Sequence, residues 1–177
     1  MTSNIIRTIT LDEKLMLLTE LIRSDCWQEH GGFLRDGKSI HVKWVSGDLN
    51  HKYDLIDQFP ETMSLLQSLF PEREFARIFW HRLSKDDKIY PHDDTVVRYI
   101  GGNKLQCRCQ IYLDIPDNFV LVADNEVKAH NLWANTIIDF DFRQLHSYEN
   151  NSDYAVYLLV ADVLNDGVSI NYPDRNN

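Results

Sequence analysis

The sequence predicts a mainly β domain: an antiparallel sandwich or jelly roll with N-terminal helices packed on one sheet. Three observations predict it. Helical spacing of apolar residues is confined to the first 73 positions. From Glu74 on, the chain breaks into short aromatic and β-branched runs separated by turn residues. One of those runs, Leu105 to Ile115, alternates cleanly between apolar and polar side chains. Helices first and strands afterwards is the order of a sheet sandwich covered on one side by helices. A length of 177 residues, 44% hydrophobic, with 7 Gly and 5 Pro, suits one domain with a sizeable core. The expected organisation is a helical support over 1–73, a strand core over 74–164 and a polar tail over 165–177.

Leu11 to Ser24 reads as the first helix. Leu15, Leu18, Leu21 and Ile22 recur at helical spacing, and Thr10 or Asp12 can cap its start. Gly31, Gly32, Asp36 and Gly37 then mark loops. Pro60 to Leu69 reads as the second helix, with proline in the first turn and Met63, Leu66 and Leu69 on one stripe. Pro71 ends it. Phe75 to Leu83 and Thr95 to Ile100 read as strands, and Gly101-Gly102-Asn103 as a turn. In the next strand Leu105, Cys107, Cys109, Ile111 and Leu113 share one face, and Gln106, Arg108, Gln110, Tyr112 and Asp114 share the other. Phe119 to Ala123 and Glu126 to Ala129, joined at Asp124-Asn125, read as a hairpin. Ile137 to Phe142 and Tyr154 to Leu164 are the last two strands, the second preceded by a turn at Asn150–Asp153.

Composition excludes several function classes. The formal net charge is −9 and no Lys/Arg run stands out, so neither a nucleic acid nor an anionic membrane is an expected partner. Three cysteines, Cys26, Cys107 and Cys109, form no regular framework, which fits a reducing compartment. The C-x-C spacing matches neither a zinc knuckle nor a thioredoxin motif. Cys107 and Cys109 read as small apolar side chains on one strand face. Asp12, Glu13 and Lys14 interrupt the first apolar stretch, so it does not read as a signal peptide. No run is long and apolar enough to span a bilayer. The expectation is a soluble, cytoplasmic protein.

The chemistry is concentrated in His92-Asp93-Asp94 and, far downstream, His146. Residues two apart on a strand point the same way, so His92 and Asp94 can share one metal if the chain is extended there. Neighbouring strands lie roughly 5 Å apart, so the third ligand must come from an adjacent strand. His146, at the end of the Ile137–Phe142 strand and just before a turn, suits that role. Two histidines and one carboxylate hold Fe(II) on one face and leave the other open. The remaining histidines, His30, His41, His51, His81 and His130, read as surface or core residues.

The residues around these ligands carry a resemblance. Ile89-Tyr-Pro-His-Asp-Asp94 resembles the P-H-x-D motif of the aspartyl/asparaginyl β-hydroxylase-like oxygenases, a jelly-roll, or double-stranded β-helix, family of the cupin type. Downstream, Asn131-Leu-Trp133, Ile138-Asp-Phe-Asp141, His146-Ser-Tyr-Glu-Asn-Asn-Ser152 and Leu158-Leu-Val-Ala-Asp162-Val163 resemble that family's ending, from G-x-W and F-D to H-S-V-x-N-x-S and L-I-x-D-V. The resemblance runs from about Phe79 to Leu164. It implies an Fe(II) oxygenase using O2, with His92, Asp94 and His146 as metal ligands and 2-oxoglutarate as cosubstrate.

The chain also departs from that pattern. The arginine that anchors the far carboxylate of 2-oxoglutarate in the family corresponds to Val156 here, and its R-x-H pair corresponds to Gln110 and Tyr112. A carboxylate buried beside Val156 without a cation carries a desolvation penalty of several kcal/mol. Arg108 is the first candidate replacement, because it shares a polar strand face with Gln110 and Tyr112. If the apolar face meets the helices, the polar face lines the pocket. Arg98, of the same parity as His92 and Asp94, and Arg143, just before His146, are further candidates. Tyr112 and Tyr154 are candidate pocket donors, and Trp133 reads as core. Three functions follow. The first is 2-oxoglutarate-dependent hydroxylation of a small amino-acid-like molecule. The second is a related iron enzyme that binds substrate directly to the metal. The third is a non-catalytic cupin-like binding domain, against which the intact ligand set argues.

Overall fold

The computed structural model describes residues 4–29, 37–45, 52–94, 105–116, 118–123, 126–128, 134–140 and 145–165. In chain order the elements are β1 (Asn4–Thr8), α1 (Leu11–Arg23), β2 (Gln28–Glu29), β3 (Lys38–Val45), β4 (Lys52–Asp54), α2 (Pro60–Leu69), β5 (Phe75–Leu83), β6 (Lys88–His92), β7 (Leu105–Leu113), β8 (Phe119–Ala123), β9 (Glu126–Lys128), β10 (Thr136–Asp139), β11 (His146–Asn150) and β12 (Val156–Leu164). They build two antiparallel sheets. The larger runs β1-β10-β7-β12-β5-β3-β2, with β4 added on β3, and the smaller runs β6-β11-β8-β9.

Two cores result, and strand parity separates them. Ile78 and Trp80 on β5, Cys109 and Ile111 on β7, and Leu159 and Ala161 on β12 pack with Leu17 and Leu21 of α1 and Leu65 and Leu66 of α2. Their strand neighbours Phe79 and Leu83, Tyr112, and Leu158 and Val160 turn the other way and meet Ile89, Phe119, Leu121 and Tyr148 of the smaller sheet. The apolar face of β7 therefore meets the helices and its polar face looks inward, as the alternation predicts. Cys107 and Cys109 lie on the helix side. Burial pushes the Cys107 thiol up to about 12 and raises Cys109 as well, so neither is a thiolate.

The helices are fixed by their first turns. At α1, Thr10 accepts from the Glu13 amide (3.2 Å) and Glu13 accepts from the Thr10 amide (2.7 Å), a reciprocal cap of two orphan donors. α2 has no side-chain cap of its own. Glu20 of α1 supplies one, accepting from the amides of Glu61 (2.7 Å) and Thr62 (3.1 Å). Trp80 on β5 donates its indole N–H to Thr62 at 3.0 Å, which ties the helix pair to the sheet.

Several expectations need correction. The first 73 residues are not only helical: β1, β3 and short β2 and β4 join the larger sheet. β3 pairs directly with β5, and Gly37 leads into it at φ 83°, where a Cβ would meet the Arg82 carbonyl at 2.5 Å. On α1 the buried residues are Leu17 and Leu21, whereas Leu15 is 52% and Ile22 71% exposed. Leucines on more than one stripe make the helix ambiguous from periodicity alone. His146 does not close the strand before it. It opens its own strand, β11, in the other sheet. Thr95–Ile100 with Arg98, Gly101–Asn103, Arg143, Trp133, the Asp124-Asn125 turn, Gly31, Gly32, Asp36 and the tail beyond Asn165 lie outside the described residues.

Candidate metal centre

β6 and β11 are antiparallel neighbours, and their register sets His92 directly opposite His146. The two imidazole rings lie 4.4 Å apart between centroids. Asp94 follows β6 by two residues. One ligand atom from each of His92, Asp94 and His146 lies within 4.8 Å of the others. His92 Nδ1 is 2.7 Å from the Tyr90 carbonyl oxygen, so it donates there and presents Nε2 to the site. His146 Nε2 stands 3.5 Å from Asp94 Oδ2. Phe140 and Tyr148 pack edge-on against the His146 ring at 4.9 and 5.7 Å, which limits its orientation. Two imidazole nitrogens and one carboxylate, with a second nitrogen held by a backbone acceptor, fit a non-haem Fe(II) ion.

The positions expected to bind a cosubstrate divide into three groups. Arg108 is buried and faces inward, pairing with Asp94 through Nη1 and with Asp162 through Nε at 2.7 Å. Burial works against its charge, yet Asp162 and Asp94 outweigh it and raise the guanidinium above its ordinary value. Gln110 and Tyr112 face inward as well. Tyr112 donates its hydroxyl to Gln110 Oε1 at 2.5 Å, and Tyr148 reaches the same oxygen at 3.3 Å. Burial pushes the Tyr148 phenol up to about 12 and raises Tyr112 well above its ordinary value, so both stay protonated donors. Val156 is fully buried in the apolar core between the sheets, with Leu83 as its cross-strand partner. Tyr154, a candidate pocket donor, is 75% exposed and belongs to the surface. It precedes β12 in a tight turn rather than standing on the strand.

Four inward residues escaped the sequence reading: Arg77, His81, Tyr148 and Asp162. Asp162 is the centre of a row across three strands, opposite Arg108 on β7 and Arg77 on β5. Arg77 Nε donates to Asp162 Oδ2 at 2.6 Å. Burial opposes ionisation of Asp162, but Arg108 and Arg77 overcome it and hold the carboxyl below its ordinary value. His81 shares parity with Phe79 and lines the space beside the ligands. The signal that could have found it was that parity. The His-Ser-Tyr-Glu-Asn-Asn-Ser segment divides its labour: His146 and Tyr148 face the site, while Asn150 donates to the Leu83 and Tyr154 carbonyls (2.8 and 2.7 Å) and accepts from Ser152.

The space beside the ligands is about 10 Å³, room for about one water. A cavity of about 520 Å³ lies instead between α1 and α2 and is lined by Leu15, Met16, Gln58 and Pro60 among others. No metal-ligating set lies there among the described residues. The candidate ligand set therefore lies at the smaller space.

An antiparallel double-stranded β-helix with two histidines and a carboxylate converging between its sheets defines the class: this is an Fe(II)-dependent oxygenase. The family model for aspartyl/asparaginyl beta-hydroxylases matches residues 19–166, and the chain belongs to that family. Solved structures share the fold. One is an oxidoreductase of the 2OG-Fe(II) oxygenase family from Burkholderia pseudomallei (TM-score 0.58, 13% identity, 88% of this chain and 80% of that one). Another is a prolyl hydroxylase from Trichoplax adhaerens in complex with a hypoxia inducible factor oxygen degradation domain peptide fragment (TM-score 0.57, 12% identity, 92% and 83%). A third is EvdMO1 (TM-score 0.56, 14% identity), where 93% of this chain spans 47% of that one, about half its length. No curated protein matches the chain. Among the described residues no helix is long and apolar enough to cross a membrane.

Proposed function

We propose that this protein is an Fe(II)- and 2-oxoglutarate-dependent hydroxylase of a small amino-acid-like substrate, with His92, Asp94 and His146 holding the metal. The observation that carries the reading is the convergence of those three ligand atoms, with the His92 ring fixed through Tyr90. A bound Fe(II) ion would supply oxidation of a substrate C–H bond with O2 and the cosubstrate. The chain's own part is orientation and exclusion of water. Arg108 holds Asp94 from behind, and Gln110 and Tyr112 on β7 with Tyr148 on the facing sheet offer neutral donors and an acceptor. Arg98 belongs to the same proposal by parity with His92 and Asp94.

The deciding experiment adds 2-oxoglutarate anaerobically to the Fe(II) protein. A visible charge-transfer band, followed by succinate in air, is the expected result. Iron binding without a band favours a second reading, in which the substrate itself binds the metal. That reading draws support from the apolar surroundings of Val156 and the uncharged Gln110–Tyr112–Tyr148 cluster. No metal binding, unchanged in His92→Ala, would support a non-catalytic domain. The peptide held by the Trichoplax prolyl hydroxylase makes a peptidyl substrate the alternative to a free amino acid.

A further inference from the structure

The helix α1 carries a second apolar stripe that the fold leaves open. Leu11, Leu15, Leu18 and Ile22 stand four, three and four residues apart, the spacing of a coiled-coil seam. The stripe that α1 buries, Leu17 and Leu21, lies about a third of a turn around the helix. Leu11, Leu15 and Ile22 are more than half exposed, and only Leu18 reaches the helix-side core. Single exposed leucines are ordinary, but a row of them at seam spacing marks a contact face. We propose that this stripe is a homodimer interface, in which α1 packs antiparallel against α1 of a second copy of the chain.

Two features select a second copy as the occupant. The spacing of the stripe reads the same in either direction, so it is complementary to itself. A two-fold axis between Leu15 and Leu18 sets Leu11 on the partner's Ile22 and Leu15 on the partner's Leu18. The charges obey the same symmetry. Asp12 and Arg23 are exposed, share one flank of the stripe and have no ion pair among the described residues. Antiparallel packing puts like flanks together, so Asp12 lies beside the partner's Arg23 and Arg23 beside the partner's Asp12. A parallel pair would leave these charges about 16 Å of helix apart. Glu13 and Lys14, the other charged groups near the helix start, are already spent within the chain on Arg7 and Asp114. With α1 only about 20 Å long, the seam is short and the dimer reversible, at the small end of interface size. The helices cover the face of the larger sheet opposite His92, Asp94 and His146, so each copy keeps its own candidate metal centre.

The test is sedimentation velocity of the full chain across the micromolar range, with thermal melting and Mn(II) affinity measured alongside. The wild type should pass reversibly from one chain mass to two. Leu15→Glu and Ile22→Lys, both at exposed positions, should weaken the dimer tenfold or more while Mn(II) affinity stays within twofold. Asp12→Arg should weaken it severalfold, and adding Arg23→Asp should restore it, because the pair is only exchanged. A wild type that stays monomeric overturns the proposal. So does a dimer that Leu15→Glu and Ile22→Lys leave intact, since another face must then hold it. A dimer weakened by those two but indifferent to Asp12→Arg overturns the antiparallel register.

Discussion

The two faces of the central strands β7, β12 and β5 differ in kind. The face toward the helices is filled by Ile111, Leu159, Ile78 and their neighbours, all buried and apolar. The face toward the smaller sheet is graded. At one end it is charged, in the row Arg108–Asp162–Arg77, and at the other it is apolar around Val156 and Leu83. Successive residues on one strand thus serve different ends: Ala161 packs a helix, and Asp162 holds two arginines. Stability is spread over one face and chemistry is concentrated on the other. A one-residue slip would exchange them, so register is the property the fold must protect.

The largest effects should come from the inward face. His146→Ala removes a proposed ligand outright, and its loss of metal affinity should exceed the ~10–100-fold typical of changing a residue that only hydrogen-bonds a ligand. Equilibrium dialysis with Mn(II) measures it, and an unchanged affinity would remove His146 from the site. Asp162→Asn comes next. It leaves Arg77 and part of Arg108 buried without a counter-charge, a loss of about 3–5 kcal/mol in urea unfolding at pH 7. The sign with pH follows from the lowered carboxyl. Its stabilisation is complete above the unfolded-state value of about 3.9 and is lost as pH falls through the lower folded value. The difference between wild type and Asp162→Asn should therefore shrink only below about pH 4.

How much of this was readable along the chain depends on distance. The β7 alternation, the His92–Asp94 spacing and the capped first helix are local patterns, and each is present in the fold. The row centred on Asp162 is not local: Arg77 and Asp162 are 85 positions apart, Arg108 and Asp162 are 54. Nothing in either strand alone marks those side chains as partners. β11 was hidden for another reason. Its buried residues, His146, Tyr148 and Asn150, are polar or amphipathic, so the strand carries no apolar alternation. β1 was missed because every residue in it is exposed or half-exposed, and only pairing with β10 makes it a strand.

The helix-facing side predicts a different signature. Ile111→Ala, fully buried against α1 and α2, should cost about 2–5 kcal/mol through lost transfer energy and the cavity left behind. Its Mn(II) affinity should stay within twofold of wild type. Set beside Asp162→Asn, which costs a similar amount but acts beside the ligands, the pair separates the two faces by function rather than by stability. A metal-binding defect in Ile111→Ala well beyond twofold would show that the faces are mechanically coupled.

The smallest effect sharpens the contrast between buried and open carboxylates. Glu13, like Asp162, is held by an arginine: Arg7 reaches it at 2.6 and 2.8 Å and, as the leading cause, lowers its pKa to about 2. The Glu13 side chain remains 24% exposed, however, so water and salt screen the pair. Its contribution is present above the unfolded-state value of about 4.3 and disappears as pH falls toward 2. Glu13→Gln should cost less than ~1 kcal/mol at pH 7, and adding 0.5 M salt, roughly a 4–5 Å Debye length, should reduce the cost further. Asp162→Asn should be insensitive to the same salt, because its charges are out of water. Equal salt sensitivity in the two variants would mean that solvent reaches the Arg108–Asp162–Arg77 row.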